Sequence, residues 1–141
     1  MSHANVWVLE KSTEAFNRRD AAAIEKLWHP EGEFRSSVTD IEGTGGVYAA
    51  RDISRYIDDL DGLFDGWRIE EANYIAVDDN CVVQLPRVTG RGKGSGAPIN
   101  QRLGIVWTLR DGLIFYGRVF RTPQDALDAV GLSEQDAHAD S

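Results

Sequence analysis

The stretch from Asn80 to Phe120 constrains this chain more than any other. It reads as three strands in succession: Asn80–Thr89, Ile99–Leu109 and Leu113–Phe120. Val, Ile, Leu, Trp and Phe dominate the strands, and glycines punctuate the joins. Gly90 to Gly96 makes the first join, and Arg110-Asp111-Gly112 makes the second. Strands joined this closely pair antiparallel, because a parallel crossover takes a dozen or more residues. A meander of this width needs a cover for one face, and the segments before it are mostly helical.

Residues 4–18 fit a helix, with Val6, Leu9, Thr13 and Phe16 on one face and Ser12 at its border. Asp20 is placed to cap a second helix, Ala21 to Trp28, which His29-Pro30 ends because the residue before proline avoids the helical region. Glu31-Gly32 turns into a strand, Glu33 to Val38. A glycine-bearing loop, Thr39 to Gly46, carries Asp40 and Glu42. Arg51 to Phe64 is a third helix, with Ile53, Tyr56, Ile57, Leu60 and Phe64 at helical spacing. Trp67 to Val77 is a strand. Thr122 caps a terminal helix that starts at Pro123 and stops at Gly131. The order is α+β, with helices gathered on one face of a curved antiparallel sheet. A sheet twisted this strongly curls around a helix into a cone open at one end, a natural ligand pocket. Residues 1–132 are expected to form one domain, and 133–141 a disordered polar tail.

A formal net charge of −8 disfavours nucleic acid and anionic membranes as partners. No apolar run reaches the length of a membrane span, and the N-terminus lacks a signal-peptide pattern, so a cytoplasmic location is expected. Cys81 is the only cysteine, so no intrachain disulfide can form. The three histidines are scattered, which gives no metal-ligand spacing, and no cofactor is called for. The glycine run joins two strands and opens no helix, so it is no phosphate loop. No serine stands in a G-x-S-x-G frame.

Strand alternation assigns the faces. Leu103, Ile105, Trp107 and Leu109 share an inward side with Gln101, which falls near the mouth. Val82, Gln84, Pro86 and Val88 share another, which makes Gln84 a polar group in an apolar wall. Such an amide needs Tyr56, Ser36, water or a ligand as its partner. In the last strand Phe115, Gly117 and Val119 go with Arg121, leaving Tyr116 and Arg118 outward. The candidate pocket is therefore Trp28, Phe34, Ser36, Tyr56, Gln84, Gln101, Trp107 and Arg121. Candidate proton carriers are Tyr56, Asp40 and His29. Each has a plainer reading: the aromatic rings as core, Asp40 as a solvated loop acid, His29 at a helix end, Arg121 in a rim ion pair.

The chain resembles the SnoaL-like branch of the nuclear transport factor two-like superfamily, which includes ketosteroid isomerase. The resemblance is carried by Ala15-Phe16-Asn17-Arg18-Arg19-Asp20, Leu27 to Arg35, the glycine run 90–96, Val106 to Gly112 and Ala126 to Leu132. It implies a conical sheet, a pocket between sheet and helices, and a homodimer through the sheet's outer face. It also implies positions for isomerase chemistry: the general base at Ser36, an oxyanion-hole tyrosine at Ser12, and a second acidic donor at Ile105. This chain lacks all three groups, so proton abstraction of the isomerase type is rejected. Two functions stay open. One is a cofactor-independent isomerase, cyclase, dehydratase or hydrolase acting on an apolar carbonyl, hydroxyl or epoxide compound. The other is a ligand-binding or protein-interaction module without turnover.

Overall fold

The computed structural model describes residues 2–40 and 46–132. Glu42 and the expected tail, 133–141, lie outside the described residues. Helix α1, Ser2–Asn17, is followed by the short α2, Ala21–Glu25, and by strand β1, Trp28–Ser36. Then come β2, Val47–Ala49, a 3-10 turn, Ala50–Asp52, and α3, Ile53–Leu63. The chain continues through β3, Phe64–Asp78, β4, Cys81–Gly92, β5, Pro98–Arg102, β6, Gly104–Arg110, and β7, Leu113–Phe120. Helix α4, Pro123–Ala129, ends the described chain.

The seven strands form one sheet in the order β2-β1-β7-β6-β4-β3, with β5 paired to β4. The meander forms as expected: β4 pairs antiparallel with β5 and β6, and β6 with β7. The Ile99–Leu109 run is divided at Leu103, but its register against β4 is unbroken. Leu103 N bridges the join by donating to Pro86 O at 3.0 Å. The sheet is not wholly antiparallel, however. β1 runs parallel to β7, with Phe34 opposite Gly117 and Ser36 opposite Val119. The chain between them is long enough for such a return, and its hairpins fill the other positions in the sheet.

The second helix ends at Glu25, three residues before its expected limit, Trp28. Asp20 caps it as expected, its carboxylate accepting from Ala23 N at 3.1 Å. Beyond it, Leu27 O accepts from Ile114 N at 2.9 Å, which draws Trp28 into β1. Pro30 has no N–H to extend a helix and holds His29 extended. Residues 29–32 then form an irregularity between Trp28 and Glu33, where β1 resumes its pairing with β7.

Helices α1 and α3 cover the concave face. Leu9, Ala15 and Phe16 of α1 and Ile53, Tyr56, Ile57 and Leu60 of α3 are buried against Phe34, Val82, Ile105, Trp107 and Val119 of the sheet. Helix α4 packs on the convex face instead. Its Ala126 and Leu127 form a second cluster with Ile75 and Val83. Thr122 caps α4, accepting from Asp125 N at 3.1 Å. Gly131, with φ of +75°, and Leu132 close it by donating to Asp128 O and Leu127 O.

One expected face is corrected. A register shift in β6–β7 sets Leu109 opposite Ile114 and Thr108 opposite Tyr116. Ile114 is therefore fully buried, while Phe115 turns outward beneath the Arg110 guanidinium.

Candidate functional site

A cavity of about 260 Å³ lies between the concave face and the two long helices. α1 contributes Ser12, Thr13 and Phe16, and α3 contributes Tyr56 and Leu60. Strand alternation supplies the rest: Trp67 and Ile69 from β3, Gln84, Pro86 and Val88 from β4, Ile105 and Trp107 from β6, and Val119 from β7. Phe34, Val38, Phe64, Thr89, Ile99, Gln101 and Leu103 line it as well, and Gln101 is exposed and donates to Arg121 O at 3.2 Å.

Two hydrogen-bonded systems give the cavity its polar character. Gln84 is 1% exposed and satisfied at both ends. Its Oε1 accepts from Trp107 Nε1 at 2.8 Å, and its Nε2 donates to Thr13 Oγ1 at 3.1 Å. Thr13 Oγ1 in turn bonds Tyr74 Oη at 3.1 Å. Gln84 thus bonds neither of the side chains the sequence offered it, Tyr56 and Ser36. The second system joins Tyr56 Oη to Ser36 Oγ at 3.1 Å, and Ser36 Oγ also accepts from Val38 N at 3.2 Å. Burial pushes the Tyr56 phenol well above its usual pKa, more than the Ser36 hydrogen bond lowers it. Tyr56 is therefore a neutral hydrogen-bonding group at physiological pH.

The aromatic rings pack against one another more than against open space. Phe34 stacks on Trp107 at 5.7 Å and meets Tyr56 edge-on at 4.8 Å. Trp28 meets both Phe34 and Trp107 at 6.1 Å. Gly117 makes this cluster possible, since a Cβ there would lie 2.4 Å from the Trp107 ring and 2.9 Å from Phe34.

Of the eight pocket residues expected from sequence, Phe34, Tyr56, Gln84, Gln101 and Trp107 line this cavity. Trp28 is buried behind it. Ser36 reaches the cavity only through Tyr56 and itself borders a separate groove with Arg121 and Asp40. Arg121 donates there to Ser37 O at 3.0 Å. His29 stands apart from the cavity, 5.3 Å from the outward-facing Phe115, and its Nδ1 accepts from Glu31 N. Neither His29 nor Asp40 lines the cavity as a proton carrier would have to. Sequence reasoning gave no place in the pocket to Thr13, Trp67 and Ile69. Their signal was present as helix and strand periodicity, but the partner of each face was not. Ser12 and Ile105, the two inner positions matched by resemblance, do line the cavity.

Among the described residues no group of His, Cys, Asp and Glu could hold a metal ion. No helix among them is long and apolar enough to cross a membrane.

The model of the SnoaL-like domain matches residues 9–116. The chain belongs to the SnoaL-like family. Solved structures place this SnoaL-like chain among nuclear transport factor two-like folds. An NTF2-like protein of unknown function from Burkholderia pseudomallei is 16% identical with a TM-score of 0.73, covering 91% of this chain and 98% of its own. A ketosteroid isomerase-like fold from Catenulispora acidiphila, in complex with trimethylamine, is 15% identical with a TM-score of 0.69, covering 91% and 95%. TerC, co-crystallised with polyporic acid, is 19% identical with a TM-score of 0.73, covering 90% and 98%. At these identities the likeness is one of fold. No curated protein matches the chain.

Proposed function

We propose that this SnoaL-like protein binds an apolar small molecule carrying a carbonyl, hydroxyl or epoxide group, and holds it by shape and neutral hydrogen bonds. The observation that carries this reading is the composition of the wall: among the described residues the cavity is lined by apolar and neutral polar side chains, with no Asp, Glu, His, Lys or Arg. A concave, largely apolar site with a few convergent polar groups is the usual form of a small-molecule pocket. The same wall favours binding over acid–base turnover. Proton abstraction from carbon needs a base whose pKa lies near the operating pH. Among the described lining residues only Tyr56 has a hydroxyl that ionises readily, and burial moves it away from that range. Chemistry in this cavity would be limited to polarising a bound oxygen or templating a reactive shape. The co-crystallised relative TerC, with polyporic acid, supports an organic ligand of this general kind. A protein-interaction role has less support, since the two exposed large apolar side chains among the described residues, Trp7 and Val47, stand on different elements. The protein is further proposed to work as a homodimer through the part of the convex face that α4 leaves open.

Thermal-shift measurements against apolar ketones, epoxides, terpenoids and aromatic polyketides test the pocket. A ligand at about 100 times its Kd adds roughly 2.7 kcal/mol of stability, an easily read rise in Tm. Several members of the panel are expected to raise Tm. No rise with any of them would overturn the binding reading. Sedimentation of the same sample at the mass of one chain would remove the dimer.

A further inference from the structure

At Trp67 the cavity wall is not held by the sheet. The β3–β4 ladder shifts between Asp65 and Arg68, so Gly66 and Trp67 together face the single residue Gly90. Gly90 lets this bulge close in, since a Cβ there would lie 3.0 Å from Trp67 Cα. One arginine holds Trp67 instead. Arg19, in the turn between α1 and α2, lays its guanidinium over the indole, 3.4 Å from the ring centroid, and its Nη2 donates to Trp67 O at 2.6 Å. Its Nη1 donates to Asn17 O at 3.2 Å and to Phe16 O at 3.4 Å, the last carbonyls of α1. Asp61 of α3 completes the clamp: it accepts from Trp67 Nε1 at 2.7 Å and lies 3.6 Å from Arg19 Nε. One side chain thus ties α1, α3 and β3 together, and each of these elements lines the cavity.

The clamp is built at a cost to the backbone. Arg19 has a φ of +59°, in the left-handed region where a side chain is strained and glycine is not. Trp67 is 3% exposed, whereas the side chains of Arg19 and Asp61 are 30% and 50% exposed. The indole therefore stands between the cavity and a partly exposed ion pair. Building on the binding reading above, we infer that Arg19 is a positioning residue: with Asp61 it holds the Trp67 ring inward, and so sets the length of ligand that the cavity admits. Without the guanidinium the bulge yields toward solvent, and the cavity lengthens on that side. The ligand of the wild type is then a compact ring system, and one fused ring more is rejected at Trp67. Lysine would supply the charge, but neither the planar face over the indole nor the fork of donors that reaches both Trp67 O and the end of α1.

The test is Arg19→Gly, which removes the clamp at a position whose backbone suits glycine, so the fold is retained. Two readouts are taken in a Trp7→Phe background. Trp7 is the exposed indole, and its loss leaves Trp28, Trp67 and Trp107, each 3% exposed. Quenching of their fluorescence by acrylamide, an uncharged probe, is expected to rise about 2-fold in Arg19→Gly, and not to rise when Trp67 is also replaced by Phe. The second readout is affinity for 1-indanone and 9-fluorenone, two ketones that differ by one fused ring. The ratio of fluorenone to indanone affinity is expected to rise about 10-fold in Arg19→Gly. A lower Tm with an unchanged ratio would make Arg19 a purely structural residue and overturn the inference. Unchanged quenching would also overturn it, because the ring would then keep its place without the clamp. If neither ketone binds either protein while other panel members raise Tm, the binding reading stands and the size limit assigned to Trp67 falls. If nothing on the panel binds, both readings fall.

Discussion

Gln84 shows what a single residue discloses in sequence and what it withholds. Its place among Val82, Pro86 and Val88 marks it as a buried amide needing partners. The partners found, Trp107 and Thr13, come from 23 residues later in the chain and 71 residues earlier. The first lies on the neighbouring strand, and Gln84 faces Ile105 in the ladder, two positions from Trp107. The second depends on where α1 crosses the sheet, which periodicity does not fix. Removing this amide should disturb the wall on both sides. Gln84→Ala leaves the Trp107 N–H without an acceptor and opens a small void. A loss of roughly 2–4 kcal/mol is expected from urea unfolding. A loss under about 1 kcal/mol would mean that the wall repacks or admits water at little cost.

At the scale of elements, local chemistry predicted the hairpins and caps best. Asp20 and Thr122 cap the helices they precede, and Gly112 turns β6 into β7 with a φ of +78°. Errors came where tertiary pairing overrode local preference. The sequence Leu27-Trp28 extends a helical apolar face, yet the strand ladder with β7 captures it. The three-residue β2 is too short to give a pattern, and its pairing to β1 creates it. Arg91 and Gly92, expected in the join between two strands, continue β4 because β3 begins early enough to meet them. Gly104 is a further case. A Cβ there would lie 2.4 Å from Ala126 Cβ and 3.0 Å from Thr122 O, so its absence lets α4 lie close on β6. Gly104→Ala should lift α4 from the sheet and cost about 1–3 kcal/mol by overpacking. Hydrogen exchange would report it as lost protection in residues 123–131 with the cavity wall unchanged. Equal protection in both proteins would refute it.

The molecule as a whole is a curved sheet with unequal covers, two helices over its concave face and one short helix on the other. The phenols between sheet and helices give it a pH response. Tyr56, Tyr48 and Tyr74 all have pKa values raised by burial, with Tyr48 pushed up to about 12 beside Asp59. Each is neutral below pH 10 in both folded and unfolded chains. Above the unfolded value of 10.0, the unfolded chain releases these protons first. Their contribution to stability is therefore full below about pH 10 and is lost as the pH rises toward the folded values. Urea midpoints should hold steady from about pH 8 to 9.5 and fall above about pH 10, and Tyr56→Phe should flatten that fall. Midpoints that stay level to about pH 11.5 would contradict the burial of these groups.

The sequence by itself determined the meander, the helix starts set by caps and the alternation of faces along β4 and β6. These follow from side-chain type, period and turn chemistry, which act over a few residues. Only the tertiary structure decided that β1 lies parallel to β7, that Trp28 is core behind the cavity, and that His29 and Asp40 stand away from it. It alone brought Thr13 of α1 to Gln84 of β4. Those outcomes depend on which faces meet across long stretches of chain. That choice is made by the summed burial of many side chains, and no local pattern encodes it.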